Sequence, residues 1–370
     1  MNRSLAALGG TILLALGTAA CSGGGTTPHT NPTTTPTTMP TAPAISTALW
    51  VANGPNVLEF LPNQLTAGPS DPAPHIALNS ASGFGAPQGV QFDAGGDLWV
   101  LDGGNGSTVP PALDEFTPAQ LAAHAITPNP APKVLTYPGI MFPQQGIIDK
   151  NGDFWVADNK ANEVVEFSPA QLAAGGMQTP LLTLTSNPAF NGPLGIAFSP
   201  TTGNLWVANN NGTTIDGFAA ASLAGLSGTQ TLAPHDIIND DGNGSIQAPW
   251  ALVFDANGNL WSSDANAPFT IVEFLGATQL GGAMGPAPVP NITISPTTDG
   301  GFTTLAAPNG LAFDNLGDLA AVSSATPFGI PLYGAGQLAA SGAIVPNIFL
   351  VGGTTTLNAP AGDVFGPAVN

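Results

Sequence analysis

One motif recurs along the chain and constrains its fold more than any other feature of the sequence. It opens with proline, runs through an apolar stretch into an Asp-x-x-Gly turn, and ends in a second apolar stretch, as in "APQGVQFDAGGDLWVLD" (86–102). Copies open at prolines that lie 50 to 59 residues apart, namely Pro87, Pro143, Pro193, Pro249, Pro308 and Pro360. A period of this length predicts a repeat architecture, in which each unit buries its apolar face against its neighbours.

Each unit contains four segments of strand length. The first two flank the Asp-x-x-Gly turn, where glycine supplies the positive φ that the turn needs. The third ends in Phe, as in "EVVEF" (163–167), and leads into a helical turn such as "SPAQLAAGG" (168–176), with Ser as N-cap and Pro in the first turn. A fourth strand such as "PLLTL" (180–184) completes the unit. Repeated antiparallel units of four strands predict an all-β fold, the β-propeller.

The two ends of the chain hold complementary parts of one unit. The N-terminal unit starts at "LWVAN" (49–53) and lacks a first strand, whereas "NAPAGDVFGPAVN" (358–370) contains a first strand alone. We therefore expect these parts to form one blade, which together with five intact units makes a six-bladed propeller of four-stranded antiparallel blades. Closure of the N-terminal blade by the C-terminal strand leaves no half-blade with an unpaired edge.

The segment before the repeats has the composition of an exported leader and a tether. Residues 1–20 carry one Arg, an apolar centre and small residues at the end, which is typical of a signal peptide. Cys21, the single cysteine, follows directly, and this arrangement resembles a bacterial lipoprotein cleavage site; an ordinary secretory cleavage that leaves a free thiol is the alternative. Residues 21–45 are rich in Thr and Pro and predict a disordered tether, so the propeller is expected over 46–370.

The charge of the chain limits its partners. The net charge is −19, from 23 acidic and 4 basic residues, so the surface cannot neutralise the phosphates of a nucleic acid or attract an anionic membrane. We expect a monomer that reaches a membrane only through its lipid and faces the periplasm or the cell exterior. The partner is an unidentified protein, glycan or small molecule.

The residues that lie between Pro and Gly at the start of the units should surround the mouth of the central channel. This ring consists of Gln88, Gln144, Leu194, Trp250, Asn309 and Ala361. Trp250 is the best candidate for stacking on a sugar or another flat ligand, with packing between sheets as the alternative.

The ends of the second strands add polar side chains to the same face. Asp102, Asp158 and Asp264 are candidate ligands for a bound molecule or cation, and Asn53 and Asn209 occupy the same position in two other units. The alternative is that each of these side chains caps its own backbone turn.

The segment "NDDGNGSI" (239–246) is a candidate calcium loop. Asn239, Asp241 and Asn243, followed by glycine, have the spacing of the first ligands of an EF-hand loop. Trp250 stands where the bidentate Glu of such a loop is expected. An Asp- and Gly-rich surface turn without calcium is the alternative.

Two families resemble this chain at the residues described so far. The stretches "NGDFWVADNKANEVVEF" (151–167) and "GLAFDNLGDL" (310–319) are similar to NHL repeats, a resemblance that covers 49–370 and implies a propeller. At "PNGLAF" (308–313) the chain also resembles the gluconolactonase-like propellers, which implies that Asn309 would bind a catalytic divalent metal. That family also needs a Glu and an Asp in the channel, and the predicted ring offers neither.

Three functions follow from these observations. The first is a membrane-anchored, non-catalytic binding or interaction module, since the predicted ring is poor in acids and bases. The second is a divalent-metal-dependent lactonase of the gluconolactonase-like type, which would use Asn309 and the carboxylates of the same face. The third is a structural surface protein without a ligand.

Overall fold

The computed structural model describes residues 47–81, 83–123, 130–281 and 287–369, which form a six-bladed β-propeller. The six main sheets are the blades, and the innermost strands of adjacent blades contact each other all the way around the ring, including those of blades 6 and 1. The predicted fold class is therefore confirmed. The predicted leader, Cys21 and the predicted tether lie outside the described residues.

Each blade has four antiparallel strands, here numbered one to four outward from the channel. The first strands of blades 1 to 6 are Pro360–Gly366, Pro87–Phe92, Pro143–Ile148, Pro193–Phe198, Pro249–Phe254 and Pro308–Phe313. The second strands are Ala48–Asn53, Leu98–Asp102, Phe154–Asp158, Leu205–Asn209, Leu260–Asp264 and Leu319–Ser323. The third strands are Asn56–Phe60, Ala112–Phe116, Glu163–Phe167, Thr214–Phe218, Ile271–Phe274 and Gly329–Tyr333.

The fourth strands complete the blades. They are Ile76–Leu78, Lys133–Thr136, Leu182–Ser186, Asp236–Asn239, Ile292–Ser295 and Ile348–Val351. The strand predicted over 180–184 therefore begins two residues later, at Leu182, because Pro180 has no N–H to donate to a ladder. A separate small hairpin, Thr298–Asp299 with Phe302–Thr303, follows blade 5.

The core lies between the blades, where aromatic side chains of one blade meet the next. Trp50 packs edge-on against Phe92 with ring centroids 5.5 Å apart, and Trp155 packs against Phe198 at 5.5 Å. The second strands are buried on both faces because each is sandwiched between adjacent sheets. In blade 6 the buried Ala320 occupies the Trp position.

Short helical turns join the third and fourth strands, as predicted. They are the α-helical turns Pro118–Ala122, Pro169–Ala174 and Ala220–Leu223 and the 3₁₀ turns Pro62–Gln64 and Gln337–Ala339. The Thr117 hydroxyl accepts from the backbone N–H of Gln120, whose side chain accepts from the backbone N–H of Thr117 at 2.8 Å. This reciprocal cap satisfies donors that a helix start otherwise leaves free.

A fifth, parallel strand on several blades was not predicted. The segments Gly176–Met177, Gly228–Leu232 and Gly342–Ala343 follow a helical turn, and each pairs with the fourth strand of the preceding blade. Gly68–Ser70 lies in the same place beside blade 6, where the Gly68 N–H donates to the carbonyl of Asn347 at 2.7 Å. These segments cover the outer edges of four blades and tie neighbouring blades together.

Blade 1 combines the first and the last strands of the described residues, as predicted. Pro360–Gly366 pairs antiparallel with Ala48–Asn53, with Leu49 opposite Phe365 and Trp50 opposite Val364. Among the described residues, no helix is both long and apolar enough to span a bilayer.

Candidate functional site

The six first strands surround a central cavity of about 430 Å³. Five of the six predicted ring residues line it, namely Gln88, Gln144, Leu194, Trp250 and Asn309. Ala361, the sixth, is buried in the wall, and the adjacent Gly362 lines the cavity in its place. The channel is thus a cavity bounded by all six blades.

Amide side chains supply much of the polarity of the channel wall. Gln88 donates its side-chain N–H to the carbonyl of Ala86 at 3.1 Å, while Gln144 is buried beside the cavity. Gln145, which sequence reasoning missed, accepts from the backbone N–H of Ile196 at 3.1 Å and donates to the carbonyl of Leu252 at 3.3 Å. Gln145 therefore joins blades 3, 4 and 5. The signal was available, since the corresponding residue of every other blade is Gly or Ala.

Trp250 differs from the other five tryptophans. Those five are buried between blades, with at most 4% of their surface exposed, whereas Trp250 is half-buried and faces the cavity. Within the described ranges no aromatic ring contacts it. An indole held this way presents a flat apolar face to whatever enters the channel.

Asn309 is held by main-chain groups of two blades. In the amide orientation that satisfies its neighbours, its nitrogen donates to the carbonyls of Ala361 at 2.9 Å and Val322 at 3.2 Å. Its oxygen accepts from the Ser324 hydroxyl at 3.2 Å. The amide nitrogen of Asn309 thus helps to join blade 6 to blade 1, while its oxygen is engaged within blade 6, and the predicted role of Asn309 as a metal ligand stays a prediction.

Asp363 is a second residue of the channel wall that sequence reasoning missed. It lies in the first strand of blade 1, lines the cavity, and packs its carboxyl over Gly310 of blade 6. Both of its oxygens are enclosed and have no hydrogen-bond partner in the part of the chain that the structure describes, and burial raises the pKa of Asp363 well above its usual value. The other blades carry Val90, Gly146 or an aliphatic residue at this position.

The predicted carboxylates at the ends of the second strands hold the loops that enter each blade. All three are buried. Asp102 accepts from three backbone N–H groups at 2.7 to 2.8 Å, and Asp264 also accepts from three. Asp158 accepts from the Tyr137 hydroxyl at 2.8 Å and from three backbone N–H groups. The structure gives each carboxylate a capping role, and ligand binding by any of them stays a prediction.

The predicted calcium loop is organised around Asp240. Its carboxylate accepts from three backbone N–H groups and from the Ser245 hydroxyl. Asn243 donates its side-chain N–H to Asp241 at 3.0 Å, and Asn239 is an exposed residue at the end of a fourth strand. The polar groups of the loop thus bond largely to one another, and calcium binding stays a prediction.

A three-ligand metal centre of acids, histidines and cysteine is not found in the described part of the chain. In the channel, Asp255 and Asp363 are the acids that line the cavity. Asp255 caps its own hairpin, accepting from the backbone N–H groups of Asn257 at 2.9 Å and Asn259 at 2.8 Å. The described residues that line the channel include no Glu, and a metal site of the gluconolactonase-like type stays a prediction.

Solved structures share this architecture at low sequence identity. A Bacteroides caccae protein of unknown function matches 87% of this chain and 99% of its own, with a TM-score of 0.57 and 10% identity. A chain of the nidogen/laminin complex matches 86% of this chain and 98% of its own, with a TM-score of 0.55 and 13% identity. A Bacteroides fragilis protein, whose name proposes a 6-phosphogluconolactonase, matches 88% and 99%, with a TM-score of 0.54 and 10% identity.

These likenesses define the class of the protein as a β-propeller. No protein-family model and no curated protein matches the chain. More particularly, it is a six-bladed propeller whose first blade pairs Ala48–Asn53 with Pro360–Gly366. Since one fold of this kind hosts unrelated functions, the function has to be argued from the site.

Proposed function

We propose that the protein is a non-catalytic binding module whose channel takes a neutral, hydroxyl-rich ligand of the sugar type. The observation that carries this proposal is the half-buried Trp250 ring, which faces a cavity of about 430 Å³. Ligand pockets of this size combine apolar surface with a few polar groups that fix orientation. Trp250 supplies the flat apolar surface, and the side chains of Gln88 and Gln144 supply uncharged donors and acceptors for hydroxyl groups.

The electrostatics of the channel also support a neutral ligand. Its polar side chains are mainly amides, which bind hydroxyls without the desolvation cost of a charge. Asp255 is engaged in its own turn, and the oxygens of Asp363 are enclosed. No cationic side chain lines the cavity among the described residues, so an anionic ligand would find no counter-charge.

The test is a titration with mono- and oligosaccharides, in which binding is measured by tryptophan fluorescence and by calorimetry. We expect one sugar class to bind, and Trp250→Ala to weaken binding roughly tenfold, since an aromatic contact contributes about 1 kcal/mol beyond its buried area. Phe302→Ala is the matched control, because Phe302 is an exposed ring outside the cavity. Equal affinity of Trp250→Ala and the wild type would contradict the proposal.

A second candidate function, hydrolysis of lactones, is favoured by Asp363. Its carboxyl lies in the channel wall, and burial raises its pKa, which favours the protonated form that a general acid needs to donate a proton to a leaving oxygen. The name of the Bacteroides fragilis protein points to the same chemistry. Binding ranks first because the Asp363 oxygens are enclosed and no described residue forms a hydrogen bond with them. Turnover of a simple lactone that is lost in Asp363→Asn would reverse this order.

We also propose that the protein is exported, lipid-anchored at Cys21 and monomeric. The support is the leader-like composition of residues 1–20 and the position of the single cysteine. Labelling with a radioactive fatty acid in the producing cell should mark the wild type and not Cys21→Ala. Release of Cys21→Ala from the membrane fraction would support the anchor, and retention of its label would contradict it.

A further inference from the structure

A second, larger cavity lies between blades 3 and 4. It has a volume of about 920 Å³ and is lined by the hairpin that contains Asp149 and Asp153 and by the helical turn of blade 4. Trp155 and Glu166 form part of its wall. We call this cavity the blade 3–4 groove. It shares few residues with the channel, and its acidic groups distinguish it from the amide-lined channel site.

The equivalent position between blades 2 and 3 is filled by a lysine of the protein itself. The Lys133 ammonium bonds the Glu115 carboxylate at 2.5 Å and lies 5.8 Å from the centre of the Trp99 ring. Two carbons of its side chain lie 3.0 and 3.3 Å from where a Cβ on Gly175 would stand. Blade 2 thus shows how an alkylammonium group is bound at this place in a blade. A carboxylate and an indole contact the ammonium, and a surface groove holds the methylene groups.

Blade 3 repeats the carboxylate and the indole without the lysine. Glu166 lies opposite Trp155 in the ladder, as Glu115 lies opposite Trp99. The residue opposite Glu166 on the fourth strand is Leu182, where blade 2 has Lys133. The binding elements are therefore present in blade 3, and the cation that occupies them in blade 2 is replaced by an apolar side chain.

Glu166 is also the exception among the glutamates at this position. Glu59 is bonded by His75 at 2.7 Å. Glu273 is bonded by Asn291 and by a second amide. Glu166 is only 8% exposed, lines the groove, and has no hydrogen-bond or ion-pair partner for its carboxyl among the described residues. A buried carboxylate without a partner is costly, so a cation that enters the groove would gain a desolvated counter-charge.

We propose that the blade 3–4 groove binds an alkylammonium group, either the side chain of a lysine on a partner protein or a free diamine. The ammonium occupies the place that Lys133 takes in blade 2, bonded to Glu166 and over the face of Trp155. Asp149 and Asp153 add negative potential at the entrance, and the groove holds the methylene chain. Lys150, an exposed cation that also lines the groove, is the internal competitor.

The test uses the intact protein labelled with ¹⁵N-tryptophan, in which the Trp155 indole signal is identified by its loss in Trp155→Phe. The probes are cadaverine, the peptide Gly-Lys-Gly with its N-terminus acetylated and its C-terminus amidated, and the same blocked peptide with its lysine side chain also acetylated, which keeps the chain and removes its only charge. We expect the chemical shift of the Trp155 indole to change saturably with cadaverine and with the charged peptide, with dissociation constants in the millimolar range. The acetylated peptide should cause no change. Tighter binding of the peptide assigns a protein lysine, and tighter binding of cadaverine assigns a free diamine.

Four variants separate the site from general charge effects. Glu166→Gln keeps the shape and should raise the dissociation constant roughly tenfold, because it removes a charge-assisted hydrogen bond. Asp318→Asn, in the corresponding hairpin of blade 6, removes one charge elsewhere and should have no effect. Lys150→Ala should retain or strengthen binding. Leu182→Lys restores the arrangement of blade 2 and should abolish binding from outside.

Three results would overturn the proposal. Binding of the acetylated peptide as tight as that of the charged peptide would show that charge is irrelevant. An unchanged affinity in a folded Glu166→Gln would remove the carboxylate from the site. Movement of the Trp155 signal by Ca²⁺ at lower concentration than by either amine would assign the groove to a metal ion instead.

Discussion

Oδ1 of Asp363 lies 2.5 Å from the position that a Cβ on Gly310 would occupy. The strand Pro360–Gly366 therefore packs closely against the first strand of blade 6. The carbonyl oxygen of Ala361 lies 2.9 Å from the same point. Glycine at 310 is therefore required by the close approach of two strands, and not by a special backbone angle.

Gly310→Ala should destabilise the protein. The new methyl collides with a backbone oxygen and with an enclosed carboxyl, and overpacking of this kind costs roughly 1 to 3 kcal/mol. Chemical denaturation measures the change in the free energy of unfolding. Gly353→Ala is the control, because no atom lies within 4 Å of its Cβ position and it should be nearly neutral. Equal losses in the two variants would contradict the close packing at the seam.

Asp158→Ala should cost roughly 3 kcal/mol or more of unfolding free energy. The buried carboxylate accepts from the Tyr137 hydroxyl and from three backbone N–H groups, and its removal leaves buried donors unsatisfied. Asn257→Ala, at an exposed turn position, should be close to neutral. An Asp158→Ala variant that is as stable as the wild type but no longer binds ligand would contradict the capping role and assign the carboxylate to ligand binding.

The protein should be more stable at pH 5 than at pH 8. Burial, with the nearby charge of Asp102, raises the pKa of Asp114 to about 7, and burial with nearby carboxylates also raises the pKa values of Glu163 and Glu166 to about 7. Because these groups bind protons more tightly in the folded state than in the unfolded state, proton binding stabilises the folded protein. This contribution to the free energy of unfolding is complete below about pH 4 and is lost as the pH rises through 7.

The measurement is the melting temperature between pH 4 and pH 8, which should fall by roughly 5 °C or more across the upper half of this range. Asp114→Asn should flatten the dependence, because the amide replaces the carboxyl without titrating. A melting temperature that is constant or rises from pH 5 to pH 8 would show that these carboxyls are not buried as described.

Removal of the last strand should be rescued by a separate peptide. A chain that ends at residue 357 exposes the edge of Ala48–Asn53 and should aggregate or melt at much lower temperature. A peptide of residues 358–369 should restore the melting temperature by adding the missing strand. The same peptide with Val364→Asp is the control, since Val364 packs against the core between blades 1 and 2. Failure of the wild-type peptide to bind would contradict closure by this strand.

The blades and their closure were predictable because the repeat is local. Each Pro-to-Trp segment contains its own strands and turn, and the N-cap pair of Thr117 and Gln120 lies within one helical turn. The missing first strand before Leu49 and the unaccompanied one at Pro360 also followed from the repeat. Periodicity and turn chemistry suffice for such elements.

The less predictable features depend on contacts between units. The parallel strand Gly228–Leu232 pairs with the preceding blade, so its partner is set by the stacking of blades and not by its own residues. The isolation of Glu166 becomes visible only when its surroundings are compared with those of Glu115. Asp363 stands out in the alignment of the repeats, but its enclosure by blade 6 does not.

The pairing of Ala48–Asn53 with Pro360–Gly366 also bears on the order in which the protein can mature. During synthesis, Ala48–Asn53 emerges long before its partner Pro360–Gly366, and the other five blades can assemble in between. Until then the edge of blade 1 is available to a neighbouring chain. Whether Ala48–Asn53 pairs with Pro360–Gly366 of its own chain or of another chain therefore decides whether the protein becomes a monomer or a strand-swapped oligomer.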